Sequence, residues 1–443
     1  MRTATAPVLP MAVRLEFVHA LVDREAGRAG LRVLHIKGVA SGRQLGLRGR
    51  RPTDVDVLVS PEDHEDLVAA LERRGWRRQA ATRSSRLVGH ATVLTHPLWG
   101  CAIDVHHRFP GIGLDPSEAF DLLWAERAAT VLGGHIVDVP ADAAHALLVL
   151  LHAARGYGTV RALDDVQQVR AGLDAAAAAE VRRWAQVLRS GPALRAVVAG
   201  WGRSGGVVHD WHWRTQADPS GSGVQLWAGR ALTATSLRGA LAVVSAAVLP
   251  DRQTMSVRAG RPLGHGALLV AWLRRWGKGV AVVLRSALPA VAVVPAAPPA
   301  PPATPPPMSS GSSGGSDESG TTAPSEIVDD PAFALRRDGE RVWLARLASA
   351  TVHLLSPSAV VVWELARECP PDRADHADHA DHADHADPDD ARLVARIAGV
   401  VRARAARPPC DLEHQVRATL VALRDAGLLE GAGSAGRRVS SSG

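Results

Sequence analysis

Cysteine is scarce in this chain of 443 residues. The three cysteines, Cys101, Cys369 and Cys410, lie far apart and form no Cys-x-x-Cys pair. Their number and spacing exclude a disulfide framework and a cysteine-rich zinc site, and they are typical of a protein kept in a reducing compartment. We therefore expect a cytoplasmic protein.

Long apolar runs are also absent. The most apolar stretches, residues 268–284 and 286–297, are interrupted by arginine, lysine or proline, so neither is long enough to cross a bilayer. The first residues include Pro7 and Pro10 and do not show the charged, apolar and small-residue regions of a secretory signal. The expected partners therefore do not include a membrane.

Lysine is rarer than cysteine. Of the 51 basic residues only Lys37 and Lys278 are lysine, and the other 49 are arginine. The formal net charge of +6 does not by itself indicate a nucleic-acid partner, and the 46% of apolar residues is enough to bury a core. Because an ammonium is a compact point charge and a guanidinium a planar fork, a lysine retained in so arginine-rich a chain suggests a specific role.

Composition divides the chain into modules. Residues 289–327 are rich first in proline and then in serine and glycine, a composition that forms no packed element. We interpret this stretch as a disordered linker between two folded modules. The predicted bounds are residues 1–288 for the N-terminal module (core about 13–140, helical extension 141–288), 328–432 for the C-terminal module and 433–443 for a disordered tail.

The N-terminal module mixes helical and strand periods, which predicts an α+β fold. Ser60 and Pro61 are expected to be the N-cap and the first residue of one of its helices. Residues 204–261 fit neither period well. Strands are predicted over residues 31–36, 54–59, 87–95 and 101–106, and helices over residues 11–29, 39–45, 60–75, 141–155, 161–171 and 175–188.

Three aspartates suggest a metal site. Asp54 and Asp56 alternate with valines in a predicted strand, so their side chains point to one face, and Asp104 lies on a predicted neighbouring strand. A single aspartate of this kind is more often a surface carboxylate, but one flanked by valines in a strand is costly without a partner. Converging carboxylates suit Mg²⁺, and two such ions can hold a triphosphate.

A candidate phosphate site precedes these aspartates. Lys37 and Gly38 lie between a predicted strand and a predicted helix, where a helix N-terminus favours anions. Further cations follow between this turn and the aspartates, at Arg43, Arg48, Arg50 and Arg51.

The order of these motifs resembles the nucleotidyltransferase superfamily with the DNA polymerase β-type fold, and more closely a bacterial family of nucleotidyltransferase family proteins. The matching segments are LHIKG at 34–38, RPTDVDVLV at 51–59 and IDVH at 103–106, and the resemblance covers about residues 13–165. The better-studied members carry Gly-Ser at the helix start, where this chain has Lys37-Gly38.

The resemblance implies transfer of a nucleotidyl group from an NTP, with ATP as the expected co-substrate and two Mg²⁺ ions as cofactors. Asp54 and Asp56 would bind the metal, and Asp104 would be a third ligand or the base beside the acceptor hydroxyl. His106 would be a hydrogen-bond partner of the metal ligands. The residues expected to bind the nucleotide are Lys37, Gly38, Arg51 and Thr53.

The C-terminal module begins with predicted strands at 333–337, 341–346 and 351–355, the first two joined at Asp338-Gly339, a strong hairpin signal. Helices follow from Ser356, over about 390–404 and over 411–426. This order resembles, over about residues 329–429, the PqqD-like family of small winged-helix domains, which recognise leader segments of ribosomally made peptides.

The PqqD-like resemblance implies a peptide that adds as a strand to the sheet edge, against the last helix. The peptide-binding residues it implies are Thr351, Val352, His353, Leu354, Leu355, Leu420 and Arg424. The alternative is a winged helix that binds DNA. Because no helix stands out as one that would read bases, we expect a peptide partner rather than a nucleic acid. The Asp-His-Ala repeat at 374–387 can bind metal in principle, but a solvated loop is the favoured interpretation.

Together these features predict a tailoring enzyme of peptide natural-product biosynthesis. The C-terminal module would act as the recognition element for a precursor peptide, and the N-terminal module would modify that peptide. Other enzymes of the same pathway are possible partners. Two alternatives stay open: a catalytically silent adaptor that binds a leader peptide, and nucleotidyl transfer to a small molecule or another protein.

Overall fold

The computed structural model describes the chain in fourteen segments. By packing, the chain divides into two units. The predicted linker, the Asp-His-Ala repeat and the predicted tail lie outside the described residues, so these predictions stay predictions. The described segments are residues 9–49, 51–79, 89–156, 159–217, 223–234, 237–250, 252–259, 261, 263–287, 332–338, 341–368, 388–404, 411–426 and 428–429. The first unit is Met1–Ala20, Gly133–His135 and Ser325–Gly443, and the second is Leu21–Leu132 and Ile136–Pro324.

A five-stranded sheet organises the second unit. Its strands are β1 (Leu34–Ile36), β2 (Asp54–Leu58), β3 (Arg77–Arg78), β4 (Ala91–Thr95) and β5 (Ala102–His106). They lie in the order β1-β2-β5-β4-β3, and β2 and β5 are parallel while the other pairs are antiparallel. The helices of this part are α1 (Met11–Ala29), which runs through both units, α2 (Gly38–Leu45) and α3 (His64–Glu72). The predicted α+β class is confirmed.

The start of α3 differs from the prediction. Ser60 does not cap a helix, because residues 60–63 first make a turn in which the Asp63 N–H donates to Ser60 Oγ and to the Ser60 carbonyl, both at 3.2 Å. The helix then begins at His64. A capping serine and a turn-forming serine make the same local hydrogen bond, so the sequence alone does not separate them.

A hairpin and a helix that the sequence reading missed follow the sheet. Helix α4 (Pro116–Ala125) is capped by Asp115, whose carboxylate accepts from the N–H groups of Ser117 and Glu118. Strands β6 (Ala128–Leu132) and β7 (His135–Val139) form a two-stranded sheet.

A bundle of helices makes up the rest of the second unit. Helix α5 (Asp142–Arg155) is buried along most of its length and packs against α2 and against the four helices that follow it in the chain. Within residues 204–261, whose period was unclear from the sequence, the structure has four helices. Among the described residues no helix is long and apolar enough to span a bilayer. These helices are α6 (Val160–Gly172), α7 (Ala175–Val187), α8 (Gly191–Val197), α9 (Val207–Ala217), α10 (Gly223–Leu232), α11 (Leu237–Val248), α12 (Arg252–Ala259) and α13 (His265–Ala287).

The C-terminal part of the first unit is a three-stranded antiparallel sheet followed by three helices. The strands β8 (Phe333–Asp338), β9 (Arg341–Arg346) and β10 (Thr351–Leu355) lie in the order β10-β9-β8, so β10 is an edge strand. The helices are α14 (Pro357–Glu368), α15 (Pro388–Arg404) and α16 (Leu412–Asp425). Trp363 lies in their common core and donates its indole N–H to the Leu428 carbonyl at 3.0 Å.

Strand β8 also contacts the other segments of the first unit. The Leu335 N–H donates to the Gly133 carbonyl at 2.9 Å, and His135 Nε2 donates to the Phe333 carbonyl at 2.6 Å. Glu16 of α1 is only 4% exposed; its carboxylate accepts from the Gly133 N–H at 3.2 Å and pairs with Arg336 at 3.4 Å. These bonds join the start of α1 and the β6–β7 turn to β8.

The buried carboxylate of Glu16 generates the first prediction. Arg336→Ala removes the cation that pairs with Glu16 and leaves a buried negative charge. We therefore expect the first unit to lose about 1–3 kcal/mol of stability. Thermal unfolding of the full chain followed by circular dichroism measures the loss. Arg346→Ala, at an exposed position of the same sheet, is the control. A melting temperature equal to that of the control variant would contradict the role of the Glu16–Arg336 pair.

Candidate functional site

The parallel pairing of β2 with β5 positions the candidate site. Asp56 stands opposite Asp104, and Leu58 stands opposite His106. Because alternate residues of a strand share a face, Asp54 and Asp56 of β2 lie on the same face as Asp104 and His106 of β5. The structure thus brings the three sequence-predicted carboxylates and His106 to one face of adjacent strands.

Asp56 lies at the centre of this group. It is 5% exposed, and its Oδ1 atom accepts from His106 Nε2 at 2.8 Å and from the Lys37 ammonium. Within the described part of the chain, the group that could hold a metal ion is Asp56, Asp104 and His106, whose ligand atoms all lie within 4.8 Å of one another. Asp54 lies outside this group, two residues before Asp56 on the same strand face.

The carboxylates of the site perturb one another. Burial, followed by the charges of Asp56 and Asp54, raises the pKa of Asp104 to about 6. Burial and the charge of Asp56 also raise the pKa of Asp54. The Lys37 charge and the Thr53 N–H lower this pKa, but by less. For Asp56 burial alone would raise the pKa, but Lys37 and His106 outweigh it and lower the pKa. Asp56 is therefore the permanently ionised member.

His106 is neutral at physiological pH. Burial, followed by the charge of Lys37, lowers its pKa to about 4, so it acts as an N–H donor to Asp56. The contact agrees with the interpretation of His106 as a hydrogen-bond partner of a ligand, although its ring also lies close enough to Asp104 to join a metal site.

Lys37 has an unusual backbone conformation. Its φ of 54° lies in the left-handed region, which a non-glycine residue adopts only when its surroundings hold it there. Its N–H donates to Nε2 of His145 at 3.0 Å, and Nδ1 of His145 donates to Gln44 Oε1 at 2.6 Å. Gln44 in turn donates to Asp142 Oδ1 at 2.6 Å. Helices α2 and α5 therefore fix the turn that carries Lys37.

Sequence reasoning missed His145 and Gln44. His145 is fully buried on α5, and the other buried residues of this helix are all apolar. The signal that could have found it is this isolation, because a buried polar ring in an apolar segment requires a hydrogen-bond partner.

The other predicted nucleotide-binding residues lie around the turn. Gly38 begins α2, directly after Lys37, and it also has a positive φ, 46°. Arg51 and Thr53 are exposed, and the Thr53 N–H bonds to the Asp54 carboxylate. Arg50 lies outside the described residues.

A second cation lies near the site and was also missed. Arg155, at the end of α5, donates from Nη1 to His90 Nε2 at 3.1 Å, and the His90 ring lies 5.2 Å from that of His106. Burial, followed by the Arg155 charge, lowers the pKa of His90 to about 2, so His90 is neutral. The Lys37 ammonium lies 5.8 Å from the centre of the Phe109 ring.

The predicted peptide-binding residues divide into surface and core. On the edge strand β10, Thr351 and Leu354 are exposed, and Val352 and His353 are half-buried. Arg424 of α16 is half-buried as well. Leu355 and Leu420, which are 9% and 2% exposed, pack into the core of their own module. In this structure both side chains face that core, and their contact with a peptide stays a prediction.

Residues 18–198 match the sequence profile of a family described as uncharacterised nucleotidyltransferase. The match covers less than half of the chain, and it confirms the expected nucleotidyltransferase. No curated protein matches the chain.

Three solved structures are similar to parts of this chain. They are the antibiotic-resistance factor ANT(2'')-Ia, an antigenic nucleotidyltransferase-like protein from Paracoccidioides brasiliensis, and MenT4, a nucleotidyltransferase toxin from Mycobacterium tuberculosis. The identities are 15%, 14% and 15%, and the TM-scores are 0.31, 0.28 and 0.27. The matches cover 41%, 42% and 61% of this chain and 94%, 94% and 84% of the others. Likeness at this level adds no argument to the family match.

The raised pKa of Asp104 generates a prediction on stability. The folded protein binds this proton more tightly than the unfolded chain, so Asp104 contributes stability below about pH 4, and the contribution is lost as the pH rises through about 6. Asp104→Asn is neutral throughout. In EDTA, we expect its melting temperature to exceed that of the wild type increasingly from pH 4 to pH 7.

The control for this titration is Asp66→Asn, at an exposed position of α3. Its melting temperature relative to the wild type should not rise with pH, because Asp66 lies in the first turn of α3, where a negative charge is favourable. A pH-independent difference for Asp104→Asn would contradict the electrostatic account of Asp104.

Proposed function

We propose that the nucleotidyltransferase region, residues 18–198, transfers a nucleotidyl group from an NTP, with ATP as the first candidate, to a hydroxyl or phosphate of a ribosomally made precursor peptide. The observation that carries the transfer is the parallel register of β2 and β5, which aligns Asp56 with Asp104 beside Asp54. The proposal makes the chain a tailoring enzyme of peptide natural-product biosynthesis.

The donor set suits magnesium. Carboxylate oxygens are the ligands that Mg²⁺ prefers. Burial and mutual repulsion raise the pKa of Asp54 and Asp104, and a divalent cation would offset both effects. Asp54, Asp56 and Asp104 would hold the metal. When bound, the ions would neutralise charge on the triphosphate and on the oxygens of the displacement.

The chain's own residues bind and orient the reactants. Lys37 and Gly38 stand at the start of α2, where unpaired N–H groups and the helix dipole favour a phosphate. The acceptor oxygen attacks the α-phosphorus, the bond to the β-phosphate bridge oxygen breaks, and pyrophosphate leaves. For a hydroxyl acceptor, Asp104 would instead be the base that takes the proton, since burial and the neighbouring carboxylates raise its pKa to about 6.

The peptide partner is proposed from the edge of the C-terminal sheet. Strand β10 pairs only with β9 among the described strands, so its other side is open to strand addition. The opposite edge strand, β8, already bonds to Gly133 through Leu335. Recruitment on the same chain would raise the effective concentration of the peptide at the transferase region.

One observation favours the silent adaptor as a second candidate. The Lys37 ammonium contacts Asp56, the carboxylate to which a metal would bind. If the lysine stayed on this carboxylate, the metal site would be blocked. The chain could then bind a peptide but could not transfer a nucleotidyl group.

Label transfer tests the enzyme. The full chain is incubated with α-labelled NTPs, Mg²⁺ and precursor peptides encoded beside its gene, and label in the peptide is measured. We expect Asp54→Ala and Asp56→Ala each to reduce transfer at least about 100-fold, because each removes charge stabilisation of the transition state. Asp66→Ala is the control. Tight peptide binding without metal-dependent transfer would favour the adaptor, and label on a small molecule or another protein would contradict the peptide acceptor.

Proline substitution tests strand addition. In an edge strand, backbone N–H groups point alternately to the neighbouring strand and to the open side, so of Val352→Pro and His353→Pro one removes an outward donor. We expect that variant to keep its fold and lose at least about tenfold in affinity for a labelled leader peptide, measured by fluorescence polarisation. The other variant should lower the melting temperature. If both variants fold and bind like the wild type, the peptide does not add to β10.

A further inference from the structure

We infer that Lys37 and a divalent cation compete for Asp56: the lysine occupies the carboxylate in the metal-free protein and moves to the phosphates of the NTP when metal binds. The inference rests on the proposed function for the identity of the metal site. It adds an exchange in which one side chain serves two partners in turn.

The first support is the crowding of one oxygen atom. Oδ1 of Asp56 accepts from both Lys37 and His106. The side chains of Lys37 and Asp56 are 8% and 7% exposed, so little water screens this pair. A divalent ion bound to Asp56 would stand next to the ammonium, and two cations on one buried carboxylate repel strongly. Metal binding and the Lys37–Asp56 contact therefore exclude each other.

The second support is that the backbone of Lys37 is held in place while its side chain can move. The backbone is held by the bond from its N–H to His145 and by the Ser41 N–H, which donates to the Lys37 carbonyl at 2.9 Å. Among the described residues, the ammonium contacts the Asp56 carboxylate and lies 5.8 Å from the centre of the Phe109 ring. The four-carbon stem can therefore swing without disturbing the start of α2, where a phosphate would bind.

The third support is chemical identity. Lysine stands here in a chain with 49 arginines. A flexible stem with a compact charge can leave one anion for another, whereas a planar guanidinium tends to hold a carboxylate through two parallel bonds. The exchange also explains why Asp56 can be buried before metal arrives, since a buried carboxylate without a cation is costly.

Metal affinity in the absence of NTP tests the competition. We expect Lys37→Met to bind Mn²⁺ at least tenfold more tightly than the wild type by isothermal titration calorimetry, because the competing cation is gone. The matched control is Lys278→Met, which removes the only other lysine, on α13, and should bind Mn²⁺ like the wild type. Asp56→Asn should abolish binding. If Lys37→Met bound Mn²⁺ no more tightly than the wild type, the competition would be overturned but the metal site would stand. If neither the wild type nor any variant bound Mn²⁺, the proposed metal site would be overturned as well.

Nuclear magnetic resonance tests the exchange without a variant that could misfold. Labelling with ¹³C at the ε-carbon of lysine produces two signals from the whole chain, assigned by Lys37→Arg and Lys278→Arg. We expect Mg²⁺ to shift the Lys37 signal until the site is saturated, and a non-hydrolysable NTP to shift it further. The Lys278 signal should stay in place. A Lys37 signal unmoved by saturating Mg²⁺ would overturn the inference.

Discussion

A carboxylate buried beside two others in a β-sheet requires a cation and a hydrogen-bond donor, and the structure around Asp56 is arranged to supply both. Lys37 provides the charge and His106 the N–H, and both reach the same oxygen atom. The opposing pKa shifts of Asp56 and Asp104 follow from this arrangement, because Lys37 contacts Asp56 directly, whereas burial dominates at Asp104. The unequal acidity separates a permanently ionised residue from one that can take a proton.

The position of Lys37 depends in turn on elements far away in sequence. His145 lies 108 residues after Lys37, yet its ring accepts the Lys37 N–H. The same ring donates to Gln44, which in turn donates to Asp142, so the hydrogen bonds link all four residues. Most residues of helix α5 are apolar and buried, so it serves at once as the core of the helical extension and as the support of the site. The left-handed backbone at Lys37 persists because these bonds hold it, while the side chain stays free to change partners.

Much of this could be read from the sequence, for reasons that are local. The alternation of Asp54 and Asp56 with valines predicted a strand with both carboxylates on one face, and the period of residues 11–29 predicted α1 to the residue. The start of α3 was wrong, since a turn and a cap use the same serine bond. His145, Gln44, His90 and Arg155 were missed, because each acquires its role only from a partner more than 60 residues away in the chain. Leu420 was expected to bind a peptide, and the structure buries its side chain in the core of its module.

The sequence by itself determined the local patterns. These are the residues that form strands and helices, the carboxylates that share a strand face, and the two lysines among 51 basic residues. Only the tertiary structure decided that β5 runs parallel to β2 with Asp104 opposite Asp56, that Lys37 contacts Asp56, and that β8 bonds to Gly133 while β10 remains an edge. The physical reason is range. Backbone periodicity and capping act over a few residues, whereas strand register, burial and the pairing of charges depend on which distant segments meet in the folded chain.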